Sequence, residues 1–256
     1  MFDQKIKEIC AEVWATETPL LFLTNDRRLH KKVNKQRKKE GKEELEYMPN
    51  FRDEVAQKRE YKGNRKAEKP FHYDNLTAYI FSKYDVKVAV GMEADDLMSV
   101  YQWGRVKQGH LDTIICSRDK DLRITPGMHF SWSCGRQEQF GPARVTELGW
   151  LELIKNNKKI FGTGLSFFYS QLITGDVVDN VPGLPKGGPV LAYKTLAECR
   201  SELEMFNSVA ALYQDRFGDS WRVEMREQTD LLWMVRELDE KGEPIRYVFP
   251  DEREAS

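Results

Sequence analysis

Cysteine is scarce: the 256 residues contain 4, Cys10, Cys116, Cys134 and Cys199, and no two of them form a C-x-x-C pair. That excludes a zinc knuckle and a small disulfide-stapled secreted scaffold, and it fits a reducing, cytoplasmic setting. No apolar run approaches the roughly 18 residues that a membrane-spanning helix needs, so no membrane partner is expected. The opening residues Met1 to Lys5 do not read as a signal peptide. Internal repeats and low-complexity tracts are also missing. So is any overall excess of one charge, with 40 Lys and Arg against 41 Asp and Glu.

That balance hides a local asymmetry. Between Arg27 and Lys69 there are 16 Lys or Arg and 8 Asp or Glu, so the rest of the chain is acidic. Such polarity suits an anionic partner at one place and a cation at another. The 13 Phe, 10 Tyr and 6 Trp supply the apolar area that a disordered chain lacks.

Ile6, Ile9, Cys10, Val13 and Trp14 recur at helical spacing, which predicts a helix from about Gln4 to Ala15. Leu20 to Thr24 is a short unbroken apolar run closing on Asn25-Asp26, as in a buried strand with polar residues at its carboxyl end. Open α/β sheets place their ligands at that edge. The basic stretch that follows, to about Pro70, reads as partly helical and mobile. Next come a helix over Phe71–Lys83, a strand over Val86–Val90, a helix from Met92 or Glu93 to about Gln108, and strands over Leu111–Ser117 and Met128–Ser133. Strand, helix and strand in this order predict an α/β fold with a parallel-sheet core under covering helices, over about residues 1–140. From 141 to 256 helical patterns take over, around Leu148–Asn156, Leu165–Thr174, Leu191–Cys199 and Trp221–Leu238.

Acidic clusters fall at the ends of these elements: Glu93, Asp95 and Asp96; Asp119 and Asp121; Asp176 and Asp179; and Asp26 as a further position. Glu93 and Asp96 lie three apart in a first helical turn, where capping competes with any other role. Asp119 and Asp121 follow a buried strand. Asp176 and Asp179 can face one point if their turn is helical. Seven converging carboxylates repel one another unless a cation joins them. Oxygen-only ligands select hard divalent ions, Mg²⁺ or Mn²⁺, and this many acids points to two of them, the arrangement that cleaves phosphodiesters. Tyr61-Lys62-Gly63-Asn64-Arg65-Lys66 adds a basic segment in which Lys62 and Arg65 can hold a phosphate while Tyr61 stacks on a base. The turn through Gly183, Lys186, Gly187 and Gly188 leads into a helix carrying Lys194, and its amides can meet a DNA backbone.

In this order the pieces resemble the 5′-nuclease, flap endonuclease-like family, and most of all the 5′-to-3′ exonucleases of tailed bacteriophages. They are Leu-Thr-Asn-Asp26, Tyr61-Lys-Gly-Asn-Arg65, Glu93-Ala-Asp-Asp96, Ser117-Arg-Asp-Lys-Asp121 and Gly175-Asp-Val-Val-Asp-Asn-Val-Pro-Gly183. The resemblance implies a metal-dependent exonuclease or structure-specific endonuclease acting on DNA 5′ ends, flaps, and nicked or gapped duplex, with RNase H activity on RNA–DNA hybrids, in the company of replication proteins and in the host cytoplasm if phage-encoded. It implies that Glu93, Asp95, Asp96, Asp119 and Asp121 form a tighter metal site. Asp176 and Asp179 would complete a second, with Asp26 accessory, and Tyr61, Lys62 and Arg65 at the scissile phosphate. The basic stretch would be the family's helical arch, and the turn from Gly183 its helix-three-turn-helix, often with K⁺. Family members usually open on an apolar strand ending in an aspartate. Here Asp3 is the only nearby acid and no strand precedes it. The rival expectation is a nuclease fold that binds DNA without cutting it.

Overall fold

The computed structural model describes residues 1–64 and 69–253. Helix α1 (Phe2–Glu12) leads to strand β1 (Leu20–Thr24). Asp26 then caps α2 (Arg27–Lys39), its carboxylate accepting from the amides of Arg28 and Leu29. Arg37, Lys38 and Lys39 in the last turn complement the helix dipole, which lets so basic a segment stay helical. The short α3 (Phe51–Val55) and then α4 (Tyr73–Lys83) precede β2 (Asp85–Ala89). β1 and β2 run parallel, in register from Leu20 opposite Asp85 to Thr24 opposite Ala89.

Helix α5 (Ala94–Val106) starts where Asp96 accepts from the Glu93 amide and Thr24 Oγ1 accepts from the Ala94 amide. It covers β3 (Ile114–Cys116), which pairs parallel with β4 (Gly127–Ser131), and β4 pairs antiparallel with β5 (Phe140–Val145). The carboxyl ends of β1, β2 and β3 therefore deliver Asp26, Glu93 to Asp96, and Asp119 to Asp121.

An antiparallel hairpin of β6 (Trp150–Ile154) and β7 (Lys159–Thr163) comes next. Then follow α6 (Gly164–Thr174), α7 (Pro189–Leu196), α8 (Glu202–Phe217), α9 (Trp221–Leu232) and the terminal α10 (Pro250–Arg253). Every residue of α6 from Gly164 to Ile173 is buried, Ser166, Ser170 and Gln171 included, so this helix forms the axis of the core. Phe168, Tyr169, Leu172, Val209, Tyr213 and Met225 are wholly enclosed around it.

The fold departs from the sequence expectations at four points. Among the described residues the sheet is not one parallel layer: β1 pairs only with β2, and β3 only with β4. Strands continue past residue 141, because Leu148–Asn156 contains strand β6 rather than a helix. Leu151 and Leu153 alternate with Glu152, and the pairing partner Ile160 supplies what a local helical reading cannot see. Helix α8 was not foreseen. The Asp176–Asp179 turn is not helical; Asp176 and Val181 form an isolated antiparallel bridge. Among the described residues no helix is long and apolar enough to cross a membrane.

Candidate active site

A cleft opens at the ends of these strands. Glu93, Asp95, Asp96, Asp119, Asp121 and Asp179 line it together with Tyr61, Lys62 and Arg52, and Leu231, Leu232 and Met234 form its apolar wall. Six segments separated in the sequence meet there. Asp26 and Asp176 lie outside the lining. Asp26 is engaged as the α2 cap, 3.5 Å from Lys69 Nζ. Asp176 is buried and ties its own turn, Oδ1 accepting from the amides of Val178 at 2.7 Å and Asp179 at 3.2 Å.

Two lysines reach into the acids. Lys62, held at a positive φ of 55°, ion-pairs with Glu93 and stands 3.8 Å from Asp179 Oδ2. Lys120 bridges Asp121 Oδ1 at 2.9 Å and Asp176 Oδ2 at 2.5 Å. Gln171 adds a donor to Asp121 Oδ1 at 2.6 Å. Asp119 Oδ1 accepts from the Asp121 amide at 3.0 Å, which fixes the two aspartates relative to one another.

The expectation that Tyr61 stacks on a base does not hold. Its ring is only 7% exposed and belongs to the core cluster. Its hydroxyl instead donates to Glu93 Oε2 at 2.8 Å and lies 3.0 Å from Asp179 Oδ2, joining two acids of the cleft. Burial pushes this phenol far above its ordinary range, and the two carboxylates add to the effect, so it stays protonated. Asp96, expected among the metal acids, is fully buried at the inner wall and spends its oxygens on protein donors: Arg52, the Glu93 amide and the Val235 amide.

Burial, then the charges of Asp119, Glu93 and Asp96, push Asp95 up to about 7. Burial also raises Asp121, against the pull of Lys120 and with the push of Asp119 and Asp176. Burial alone would raise Glu93 as well, but Lys62 and Arg52 hold it below the usual carboxylate range. Crowding of like charge is therefore concentrated at Asp95 and Asp121.

Among the described residues no group of three or more His, Cys, Asp or Glu is arranged to hold a metal ion as it stands, since the lysines and Arg52 take up several of the acids. The donor chemistry nonetheless fits one. Asp95, Asp119 and Asp121 offer oxygen alone, and the charge that disfavours their joint ionisation is what a hard divalent cation would relieve.

Arg65 and Lys66 lie outside the described residues. Gly183, Lys186, Gly187 and Gly188 form the turn between α6 and α7, and Lys194 lies in the last turn of α7. Gly183 sits at φ +70°, and a Cβ there would fall 2.3 Å from the Gly175 amide nitrogen. Gly188 has open space beside it. Two cationic side chains of the site escaped sequence reasoning. Arg52 is one of many cations in a basic tract, and Lys120 passed as a spacer between two aspartates.

No protein-family model matches the chain. DNA polymerase I of Rhizobium leguminosarum is 34% identical over 110 residues, which is 42% of this chain and 10% of that protein. The chain thus spans about a tenth of the length of the curated relative it matches. Among solved structures, the T5 D15 protein co-crystallised with metal ions has 15% identity and a TM-score of 0.42, covering 84% of this chain and 90% of that one. A bacteriophage T5 flap endonuclease complex with DNA and metal ions has 13% identity and a TM-score of 0.36, covering 84% and 99%. T5 5′-exonuclease with bound zinc has 14% identity and a TM-score of 0.35, again covering 84% and 99%. The chain resembles the 5′-nuclease family.

Proposed function

We propose that the chain is a divalent-metal-dependent 5′-to-3′ exonuclease and flap endonuclease that hydrolyses phosphodiester bonds at DNA 5′ ends, flaps, and nicked or gapped duplex. The observation that carries this reading is the single cleft where Glu93, Asp95, Asp119, Asp121 and Asp179 meet the cation Lys62. Asp95, Asp119 and Asp121 would hold one Mg²⁺ or Mn²⁺ with Glu93 beside them, and Asp176 and Asp179 a second, Asp26 being accessory. When bound, such ions activate water and stabilise the leaving oxygen. Lys62, on its strained turn, offers a donor to a phosphate oxygen in place of Glu93, and Arg65 and Lys66, next in the sequence, would add further cations for the same phosphate. Tyr61, protonated, ties Glu93 and Asp179 together, its one proton donated to either carboxylate. The apolar wall of Leu231, Leu232 and Met234 limits water on one side.

The α6–turn–α7 unit is read as the helix-three-turn-helix that grips duplex backbone through Gly183, Lys186, Gly187, Gly188 and Lys194, and that would take K⁺. Gly188→Ala tests it, because its φ of −172° suits any residue and a Cβ there meets nothing. The expected result is unchanged thermal stability with duplex affinity reduced about threefold to tenfold, as a close phosphate contact is blocked. Equal affinity for wild type and variant would remove this turn from the interface. Gly183→Ala cannot serve, since its backbone clash would perturb the fold itself.

The basic helix α2 supplies the second expected contact. Duplex affinity should fall steeply as salt rises from 50 to 200 mM, by about a hundredfold or more if several phosphates are neutralised. A flat salt profile would contradict that role. The function itself is tested by cleavage of a 5′-labelled flap, a nicked duplex and an RNA–DNA hybrid in Mg²⁺ or Mn²⁺ against EDTA. Metal-dependent release of short 5′ products establishes the enzyme, and cutting of the hybrid adds RNase H activity. Binding without cleavage in every metal would instead identify a structure-specific DNA-binding protein.

A further inference from the structure

We propose that Arg52 is a positioning residue for the cleft, acting through Asp96 to fix the turn that carries Glu93 and Asp95; the inference rests on the nuclease reading above. Arg52 projects from α3, and only 2% of it is exposed. Its Nη1 donates to Asp96 Oδ2 at 2.5 Å and its Nη2 to Asp96 Oδ1 at 2.8 Å. The same guanidinium reaches the Leu231 carbonyl from Nε at 3.0 Å and the Trp233 carbonyl from Nη2 at 2.6 Å. Its fork thus joins three segments that are far apart in sequence. Its plane also lies 4.7 Å from the centre of the Phe51 ring and 5.9 Å from that of Tyr61.

Asp96 completes the junction from the other side. Beyond Arg52, it accepts from the Glu93 amide at 3.1 Å and the Val235 amide at 3.0 Å. A carboxylate with four protein donors has no lone pair to spare for a metal ion or substrate. Glu93 and Asp95, on the same helix start, line the cleft with it. A buried Arg–carboxylate pair adds little stability over apolar residues of the same shape, because desolvation offsets the attraction. What the planar, bidentate fork provides is fixed geometry. That geometry sets the start of α5 against the end of α9, and it places a positive charge 4.0 Å from Glu93 Oε2. Glu93 and Asp95, two residues apart at the start of α5, are both carried on the segment this fork fixes.

The test uses the full chain with Arg52→Lys, which keeps the charge but loses the fork, and Asp96→Asn, which keeps the side-chain shape but loses the charge. For each, thermal midpoint, kcat and KM on a 5′-flap DNA, and the Mn²⁺ concentration for half-maximal rate are measured. The expected result is a folded Arg52→Lys protein with kcat lowered about tenfold to a hundredfold, KM within about threefold of wild type, and half-saturation by Mn²⁺ shifted upward by a similar factor, as removal of a ligand's supporting partner does. A purely structural role would leave the Mn²⁺ dependence unmoved and lower kcat only in proportion to the folded fraction, which overturns the proposal. Should Arg52→Lys fail to fold, Asp96→Asn decides by the same criteria. Should the wild type cut nothing, the nuclease reading fails on its own, and calorimetric titration with Mn²⁺ still decides about Arg52: weaker binding by the variant supports the positioning role, and equal binding overturns it.

Discussion

Asp119→Ala or Asp121→Ala is expected to lower cleavage of a 5′ flap by at least about a thousandfold while the affinity for the same DNA in EDTA stays within about threefold of wild type. The two carboxylates hang from the carboxyl end of β3, and their mutual geometry is set by the bond from the Asp121 amide to Asp119 Oδ1. On the proposed function neither is needed to attract DNA: that task would fall to α2 and the Lys62 loop, and removing a negative charge from the cleft should not weaken the attraction. Asp121→Asn makes a useful companion, since Gln171 can still donate to its amide oxygen where it donates now to Oδ1. The asparagine keeps the packing and loses the charge, so a loss of activity there isolates electrostatics from shape. Binding that falls in parallel with cleavage would contradict the division of labour between acids and basic surface.

Legibility in the sequence followed the locality of each signal. The Leu20 to Thr24 run reads as a buried strand because it is an unbroken apolar string, and the observed β1 has the same bounds, but Leu20 is exposed and Leu21 to Thr24 are only half-buried. The acids at strand ends were legible for the same reason: an apolar run that stops at Asn25-Asp26 or at Ser117 marks the edge of a sheet. β6 was lost because Leu148, Leu151 and Ile154 also fit a helical period, and only the distant β7 decides between the two. The single parallel sheet was an extrapolation from strand order, whereas hydrogen bonding divides the strands into separate small sheets. Arg52 shows the limit most clearly. Nothing local separates it from its exposed basic neighbours, and its burial depends on carbonyls at Leu231 and Trp233, near the other end of the chain. Tyr61 failed in the opposite sense: an aromatic in a basic loop suggested stacking, but its ring completes the core.

The cleft's crowding should also appear as a pH dependence of the metal-free protein. Asp95 is pushed up to about 7 by burial and by Asp119, so between about pH 4 and 7 the folded protein keeps a proton that the unfolded chain has released. With more protons bound to the native state, stability falls as pH rises through that window, by up to about 4 kcal/mol. His129 acts in the opposite direction. Burial holds it down to about 4, so the unfolded chain takes up a proton first on acidification, and His129 favours folding more as pH rises from about 4 to 6.5. Glu93 and Asp176, both lowered against the pull of burial by lysine charges, change stability only at lower pH, where their contribution is lost on acidification. The whole-protein profile therefore mixes signs, and the difference between wild type and Asp95→Asn isolates one of them. In EDTA the variant should gain stability over wild type as pH increases from 5 to 8, with the gap widening most steeply between about pH 5 and 6 and levelling off above about 7. Denaturant titrations at a series of pH values measure it. Parallel profiles for the two proteins would mean that Asp95 ionises freely, and the charge crowding that favours a divalent cation at Asp95, Asp119 and Asp121 would then have no basis.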